Sequence, residues 1–236
     1  MIRILNVIPC NSGVFTPGMA AYAGKYLDEH TVVDSVRLRE GTPSIEGALD
    51  ELLNSPHAVE LAIKGEQDGY DAVFMNCFGD PGVAAARECV DIPVFGGFEP
   101  AVLIAMGLAD KIGIITVVPN VVPVIKRHIA AEHLDGRVVS VRDIGIAVLE
   151  LCNHERLCNA VLNESLKAVK EDGVQAIVLG CTGMVDVTET VRAGLKDLGY
   201  DIPVIEAAHS ALNMLEMYAK MGLRHSRLTY LKPTSK

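Results

Sequence analysis

Two cysteines stand in the same local text. Asp68-Gly69-Tyr70-Asp71-Ala72-Val73-Phe74-Met75-Asn76-Cys77-Phe78-Gly79 can be laid over Asp172-Gly173-Val174-Gln175-Ala176-Ile177-Val178-Leu179-Gly180-Cys181-Thr182-Gly183, an offset of 104 residues. Both read D-G-x-x-A-[VI]-x-[ML]-x-C-x-G, an apolar run that ends on a Cys and then a Gly. A thiolate is a base as well as a nucleophile. With one thiol on each face of a stereocentre, a thiolate removes the proton, a planar carbanion or enolate forms, and the other thiol protonates the opposite face. The two exchange roles in the reverse direction. The bland alternative is that Cys77 and Cys181 are small buried residues at strand ends, since free Cys packs as a small hydrophobe. The repeat weighs against this, because it sets both in one context.

The elements that must position the two thiols repeat as well. Asp91-Ile92-Pro93-Val94 recurs as Asp201-Ile202-Pro203-Val204, and Val33 to Arg37 resembles Val138 to Arg142. The first strand with Pro9 and Asn11 resembles Ile112 to Val118 with Pro119 and Asn120. Four matches in one order, at so long a period, point to a duplicated half-domain rather than a solenoid. Strands are expected near 2–8, 32–38, 72–76 and 92–95, and again near 112–118, 137–142, 175–179 and 202–205. Helical periodicity lies between them, as in Met19 to Leu27 and Leu157 to Val169. This alternation predicts an α/β fold of two similar, pseudo-symmetric parallel-sheet (Rossmann-like) domains, with a site in the cleft between them. The helices after the fourth and eighth strands, about Glu99 to Leu108 and Ala207 to Met221, are expected to cross between the halves. The domains are then 1–97 with 207–236, and 98–206.

In open α/β sheets, ligands bind beyond the carboxyl ends of the strands. Cys77 and Cys181 follow apolar strands directly and belong at that edge. Gly79 and Gly183 would allow tight turns into the following helices, whose N-termini and backbone amides favour thiolate and can hold an oxyanion.

Composition narrows the partners. The 236 residues are half hydrophobic, contain no Trp, and are only 5% aromatic, so the core is aliphatic. A formal charge of −9 without a basic cluster argues against nucleic acid. No apolar run reaches the ~18–20 residues that span a membrane, and the short apolar start is broken by Pro9, Cys10 and Asn11 and reads as a strand, not a signal peptide. Six cysteines without regular spacing read as reduced and cytoplasmic. No phosphate loop or G-x-G-x-x-G occurs, so no nucleotide cofactor is expected. A small-molecule substrate is expected. The apolar C-terminal helix could pack within the chain or between subunits of a homo-oligomer.

Other residues carry weaker signals. Cys10 could complete a three-thiolate metal site with Cys77 and Cys181, but the spacing matches no short zinc motif and no metal is expected. Cys89, Cys152 and Cys158 read as structural. Asp80 and Pro81 read as the N-cap and first residue of a helix, and Asp80 could also orient the Cys77 loop. Glu206 could reach the site from the end of the last strand. Thr116, at the end of a strand, and Thr182, beside Cys181, are candidate ligand contacts, or helix caps. His209 reads as a solvated or packed histidine, and His128, His133, His154 and His225 fall into no constellation.

Asn76-Cys77-Phe78-Gly79-Asp80-Pro81-Gly82, Ala85-Ala86-Arg87-Glu88 and Leu179-Gly180-Cys181-Thr182-Gly183-Met184 resemble motifs of the aspartate/glutamate racemase superfamily, and more closely its hydantoin/allantoin racemase branch. The resemblance runs over most of the chain. It implies two α/β domains with one catalytic cysteine each, Cys77 and Cys181, and no cofactor. It also implies pocket contacts from Asn11, Asn76, Phe78, Gly79, Thr116, Thr182 and Gly183. The implied reaction is racemisation of a hydantoin-like or allantoin-like ring. An amino-acid racemase, a maleate-type isomerase and a non-catalytic small-molecule-binding module are the alternatives. Ile8-Pro9-Cys10-Asn11 departs from the branch's usual Asn-Pro-Asn, and Gly97-Phe98-Glu99-Pro100 from its usual small-residue start. Both segments border the expected pocket.

Overall fold

The computed structural model describes residues 1–13, 22 and 24–234. Its chain divides into two compact units. The first comprises Met1–Ile45, Leu49–Gly97 and Ala208–Lys236, and the second comprises Phe98–Ala207 with Glu46–Ala48.

In the first unit, β1 (Ile2–Ile8), β2 (Thr31–Arg37), β3 (Ala72–Met75) and β4 (Val94–Phe95) form a parallel sheet in the order β2-β1-β3-β4. A strand that is apolar on both faces must be covered on both faces. One face, through Leu5, Val7, Val73 and Met75, packs on Ala58 and Ala62 of α1 (Ala48–Gln67) and on Val83 and Ala86 of α2 (Val83–Cys89). The other face, through Ile4, Val33, Phe74 and Phe95, packs on Ala208, Ala211, Leu212 and Leu215. Small residues bring the helices close: a Cβ on Gly65 would meet Leu5 Cδ2 at 2.6 Å.

In the second unit, β5 (Ile112–Thr116), β6 (Val138–Asp143), β7 (Ala176–Leu179) and β8 (Val204–Glu206) form a parallel sheet in the same order, β6-β5-β7-β8. Its helices are α3 (Phe98–Met106), α4 (Val122–Ala131), α5 (His154–Asp172) and α6 (Thr188–Asp197). Helix α3 follows β4 of the first sheet but packs on the second. Helix α7 (Ala207–Met221) follows β8 of the second sheet and supplies the alanines and leucines that cover the first. The sheets are therefore parallel and α/β, as the repeat predicts, and the helices after β4 and β8 cross.

The helix expected over Met19 to Leu27 lies largely outside the described residues, and Gly24–Tyr26 is a short 3-10 turn. No helix among the described residues is long and apolar enough to cross a membrane.

A strap of the chain after α7 closes the far end of β4. The Arg87 Nε donates to the Val94 carbonyl at 2.9 Å, and its Nη1 donates to the Tyr230 hydroxyl at 3.0 Å. The Val94 N–H donates to His225 Nε2 at 2.9 Å. Arg227 donates to the Arg87 and Glu88 carbonyls at the end of α2 and to the Asp91 carboxylate. His225 thus belongs to a polar cluster that its sequence neighbours do not announce. Burial, with Arg87 and Arg227 nearby, pushes its pKa down to about 4.

Candidate active site

At the carboxyl edge of the first sheet, the Asn76 N–H donates to the Val7 carbonyl at 2.8 Å, the last ladder bond before the chain turns. Cys77 follows at once, half-buried. Its carbonyl accepts the Gly97 N–H at 3.0 Å, which ties the start of the Cys77 loop to the end of β4. Asn76 and Phe78 on either side are buried. Gly79 leaves room beside the sulfur, since a Cβ there would lie 3.9 Å from Cys77 Sγ.

The loop after β1 is held from behind. Asn54, fully buried in α1, donates to the Pro9 carbonyl at 2.8 Å and to the Thr42 hydroxyl at 2.9 Å, and accepts the Thr42 N–H at 2.8 Å. Asn11 donates its side-chain amide to the Gly41 carbonyl at 2.7 Å, and its N–H to the Thr42 carbonyl at 3.1 Å. Arg37 donates to the Asn11 carbonyl. The half-buried Asn11 therefore sits in a loop cross-linked to residues 41–42 through a side chain that no sequence motif marks. Cys10 is buried beside it, and burial pushes its thiol up, against the thiolate form a metal would need. Among the described residues, no group of three or more His, Cys, Asp or Glu could hold a metal ion.

At the carboxyl edge of the second sheet, the Gly180 N–H donates to the Ile115 carbonyl at 2.7 Å, the counterpart of the Asn76 bond. Only glycine fits there: a Cβ would lie 2.7 Å from Ile114 Cγ2, 3.1 Å from the Ile115 carbonyl oxygen and 3.2 Å from Thr116 Cβ. Cys181 follows, half-buried like Cys77. The Gly183 N–H donates to Cys181 Sγ at 3.4 Å. A backbone donor aimed at sulfur favours the thiolate. Thr182 is buried in the same turn. Glu206 ends β8 opposite Leu179, also buried, and accepts the Thr188 hydroxyl at 3.3 Å.

The turns after the strands refine several local expectations. Thr116 is fully buried, and its hydroxyl donates to the Gly180 carbonyl at 3.0 Å. It secures the strand end that carries Cys181. Gly79 and Gly183 are not among the residues with positive φ; Asp80 (φ 52°), Gly82 (φ 72°) and Asp186 (φ 57°) are. Asp80 and Pro81 do not start the helix, which begins at Val83 after Gly82. Helix α6 begins only at Thr188. The loop amide of Gly183, ahead of the helix, donates to the Cys181 sulfur.

The profile of the Asp/Glu/hydantoin racemase family matches residues 5–215, and the chain belongs to that family. A hydantoin racemase of Pseudomonas sp. (strain NS671) is 32% identical over 237 residues, with 100% of this chain and 92% of the relative covered. The allantoin racemase from Klebsiella pneumoniae superposes with a TM-score of 0.91 at 31% identity, covering 100% of this chain and 95% of that one. The allantoin racemase from Pseudomonas fluorescens gives a TM-score of 0.91 at 28% identity, covering 100% and 98%.

Proposed function

We propose that the protein racemises a small five-membered imide ring of the hydantoin or allantoin type, without a cofactor, with Cys77 and Cys181 as the two bases. The observation that carries this reading is the equivalent seating of the two thiols. Each is half-buried and directly follows the ladder bond that closes the third strand of its sheet, from Asn76 to Val7 in one and from Gly180 to Ile115 in the other. The hydantoin and allantoin racemases above, which align over the whole chain, support the substrate class.

The chemistry asks little beyond two thiols and a few backbone donors. The ring C–H of such a substrate lies between a carbonyl carbon and a nitrogen. A thiolate takes this proton, and the electron pair of the broken C–H bond passes into an enolate. The other thiol gives its proton to the opposite face of the same carbon, and its sulfur is left as thiolate. No electron leaves the system, and the protein is ready for the reverse reaction. Inversion needs one sulfur on each face. The Gly183 N–H at Cys181 supports the thiolate form of one member.

A single enantiomer of a 5-substituted hydantoin, and separately of allantoin, is incubated with the protein in D₂O. Optical rotation should decay to zero while one deuterium enters at the stereocentre. Rotation retained across both substrates would overturn the reading. Cys77→Ser and Cys181→Ser should each abolish racemisation.

A further inference from the structure

The two sheets differ at one position that their register makes equivalent. Val73 and Phe74 pair with Val94 and Phe95, while Ile177, Val178 and Leu179 pair with Val204, Ile205 and Glu206. The residue after Phe95 is Gly96, so Gly96 stands where the second sheet has Glu206. One position carries no side chain, and the other carries a buried carboxylate.

In the first unit a carboxylate reaches that place from the Cys77 loop. A Cβ on Gly96 would lie 2.0 Å from Asp80 Oδ1, 2.5 Å from its Cγ and 3.0 Å from its Cα. Asp80 therefore fills the volume that a side chain at position 96 would occupy. It does so from a left-handed backbone (φ 52°), which costs a non-glycine residue about 1 kcal/mol and persists where the surroundings impose it. The loop thus meets the chain after β4 twice, through the Gly97 N–H on the Cys77 carbonyl and through the Asp80 side chain packed against Gly96. In the second unit Glu206 accepts the hydroxyl of Thr188, the residue that ends the Cys181 loop and opens α6. Each fourth strand therefore ends on a carboxylate in touch with the loop of its own cysteine, although the carboxylate comes from the loop in one unit and from the strand in the other.

We infer that Asp80 is a positioning residue for Cys77: seated on Gly96, it braces the 77–82 loop so that the thiol is presented in its working geometry. This rests on the reading of Cys77 as one of the two bases. It assigns Asp80 no proton transfer, and it explains why the position after β4 is glycine.

The test reads the two thiols separately and needs no substrate. Iodoacetamide alkylation of the full-length protein is followed cysteine by cysteine by peptide mass spectrometry from pH 6 to 10. Asp80→Ala should slow alkylation of Cys77 at pH 7 by about fivefold or more, with Cys181 changed by less than about twofold. Gly96→Ala, which displaces the Asp80 carboxylate without removing it, should give the same Cys77-selective loss. Asp80→Asn, which keeps the shape, should retain most of the rate. Should Asp80→Ala fail to fold, Gly96→Ala and Asp80→Asn decide. An unchanged Cys77 in Gly96→Ala overturns the inference, as does an equal response of both thiols. So does an Asp80→Asn protein whose Cys77 pKa falls, because Asp80 would then act as a charge and not as a brace. Racemisation is measured in parallel. A wild-type protein that racemises neither substrate, with the Cys77-selective response intact, overturns the proposed function and leaves the brace standing. An active wild type whose Cys77 is indifferent to all three substitutions overturns the brace alone.

Discussion

The Thr116 hydroxyl donates to the Gly180 carbonyl at 3.0 Å, with the threonine fully buried, so the residue before Cys181 is fixed to β5 through a side chain as well as through the sheet ladder. Thr116→Val keeps the shape and leaves the buried carbonyl without that donor. The expected cost is about 1–2 kcal/mol in urea unfolding. Alkylation of Cys181 should change while that of Cys77 does not.

Two glycines beside the cysteines should respond in opposite ways. Gly180→Ala puts a Cβ 2.7 Å from Ile114 Cγ2 and 3.1 Å from a backbone oxygen that cannot move aside, so it should destabilise the protein by more than about 2 kcal/mol or prevent soluble expression. Gly79→Ala puts a Cβ 3.9 Å from Cys77 Sγ, an ordinary contact. It should fold with a thermal midpoint near that of the wild type, while iodoacetamide reaches Cys77 more slowly.

Asn54 satisfies three hydrogen bonds from a fully buried position in α1, with the Pro9 carbonyl and with the hydroxyl and N–H of Thr42. Asn54→Ala leaves these groups unpaired and should cost about 2–3 kcal/mol. Because it frees the loop that carries Asn11, the folded fraction should show a higher KM with a smaller change in kcat. A kcat loss at unchanged KM would mean that this loop does not help to bind substrate.

The strap at β4 predicts a pH dependence with a defined sign. His225 accepts the Val94 N–H only when neutral, and its folded pKa is pushed down to about 4, against ~6.5 in an unfolded chain. Between these values the unfolded chain binds the extra proton, so stability is full above about pH 6.5 and falls as the pH drops toward 4. With the residue only partly buried, the loss is on the order of 1–2 kcal/mol. The urea midpoint of wild type should fall across this window, and that of His225→Gln should stay flatter. Asp91, whose carboxyl is held low by Lys232 and Arg227, adds its own loss only below the ordinary carboxylate range.

The parts of the site that lie on strands were legible because the repeat constrains them twice. An apolar run ending in Cys-x-Gly can be read from residue types alone, and the same sheet order in both units follows from it. The loops were less legible. Asp80-Pro81 has the residue types of a helix start, yet the helix waits until Val83, because Gly82 takes a left-handed φ at a place where a Cβ would meet Val59 Cγ2 at 2.9 Å. Thr116 stands where a ligand contact would be expected, and its hydroxyl also donates across to the Gly180 carbonyl just after β7, a tie that residue types alone do not reveal. Asn54 and His225 carry no pattern in sequence. Their partners lie 12 to 45 residues away for Asn54 and 131 for His225, so only the folded backbone brings them together.

The crossing of α3 and α7 also fixes an order of assembly. The second unit is nearly contiguous, Phe98–Ala207 with three residues from before, and has all its strands once β8 has been made. The first unit needs Ala208, Ala211, Leu212 and Leu215 to cover Ile4, Val33, Phe74 and Phe95. During synthesis from the amino end, the sheet that leaves the ribosome first is therefore the last to be closed, and until α7 emerges one of its faces is a sticky surface that a nascent chain must keep from its neighbours.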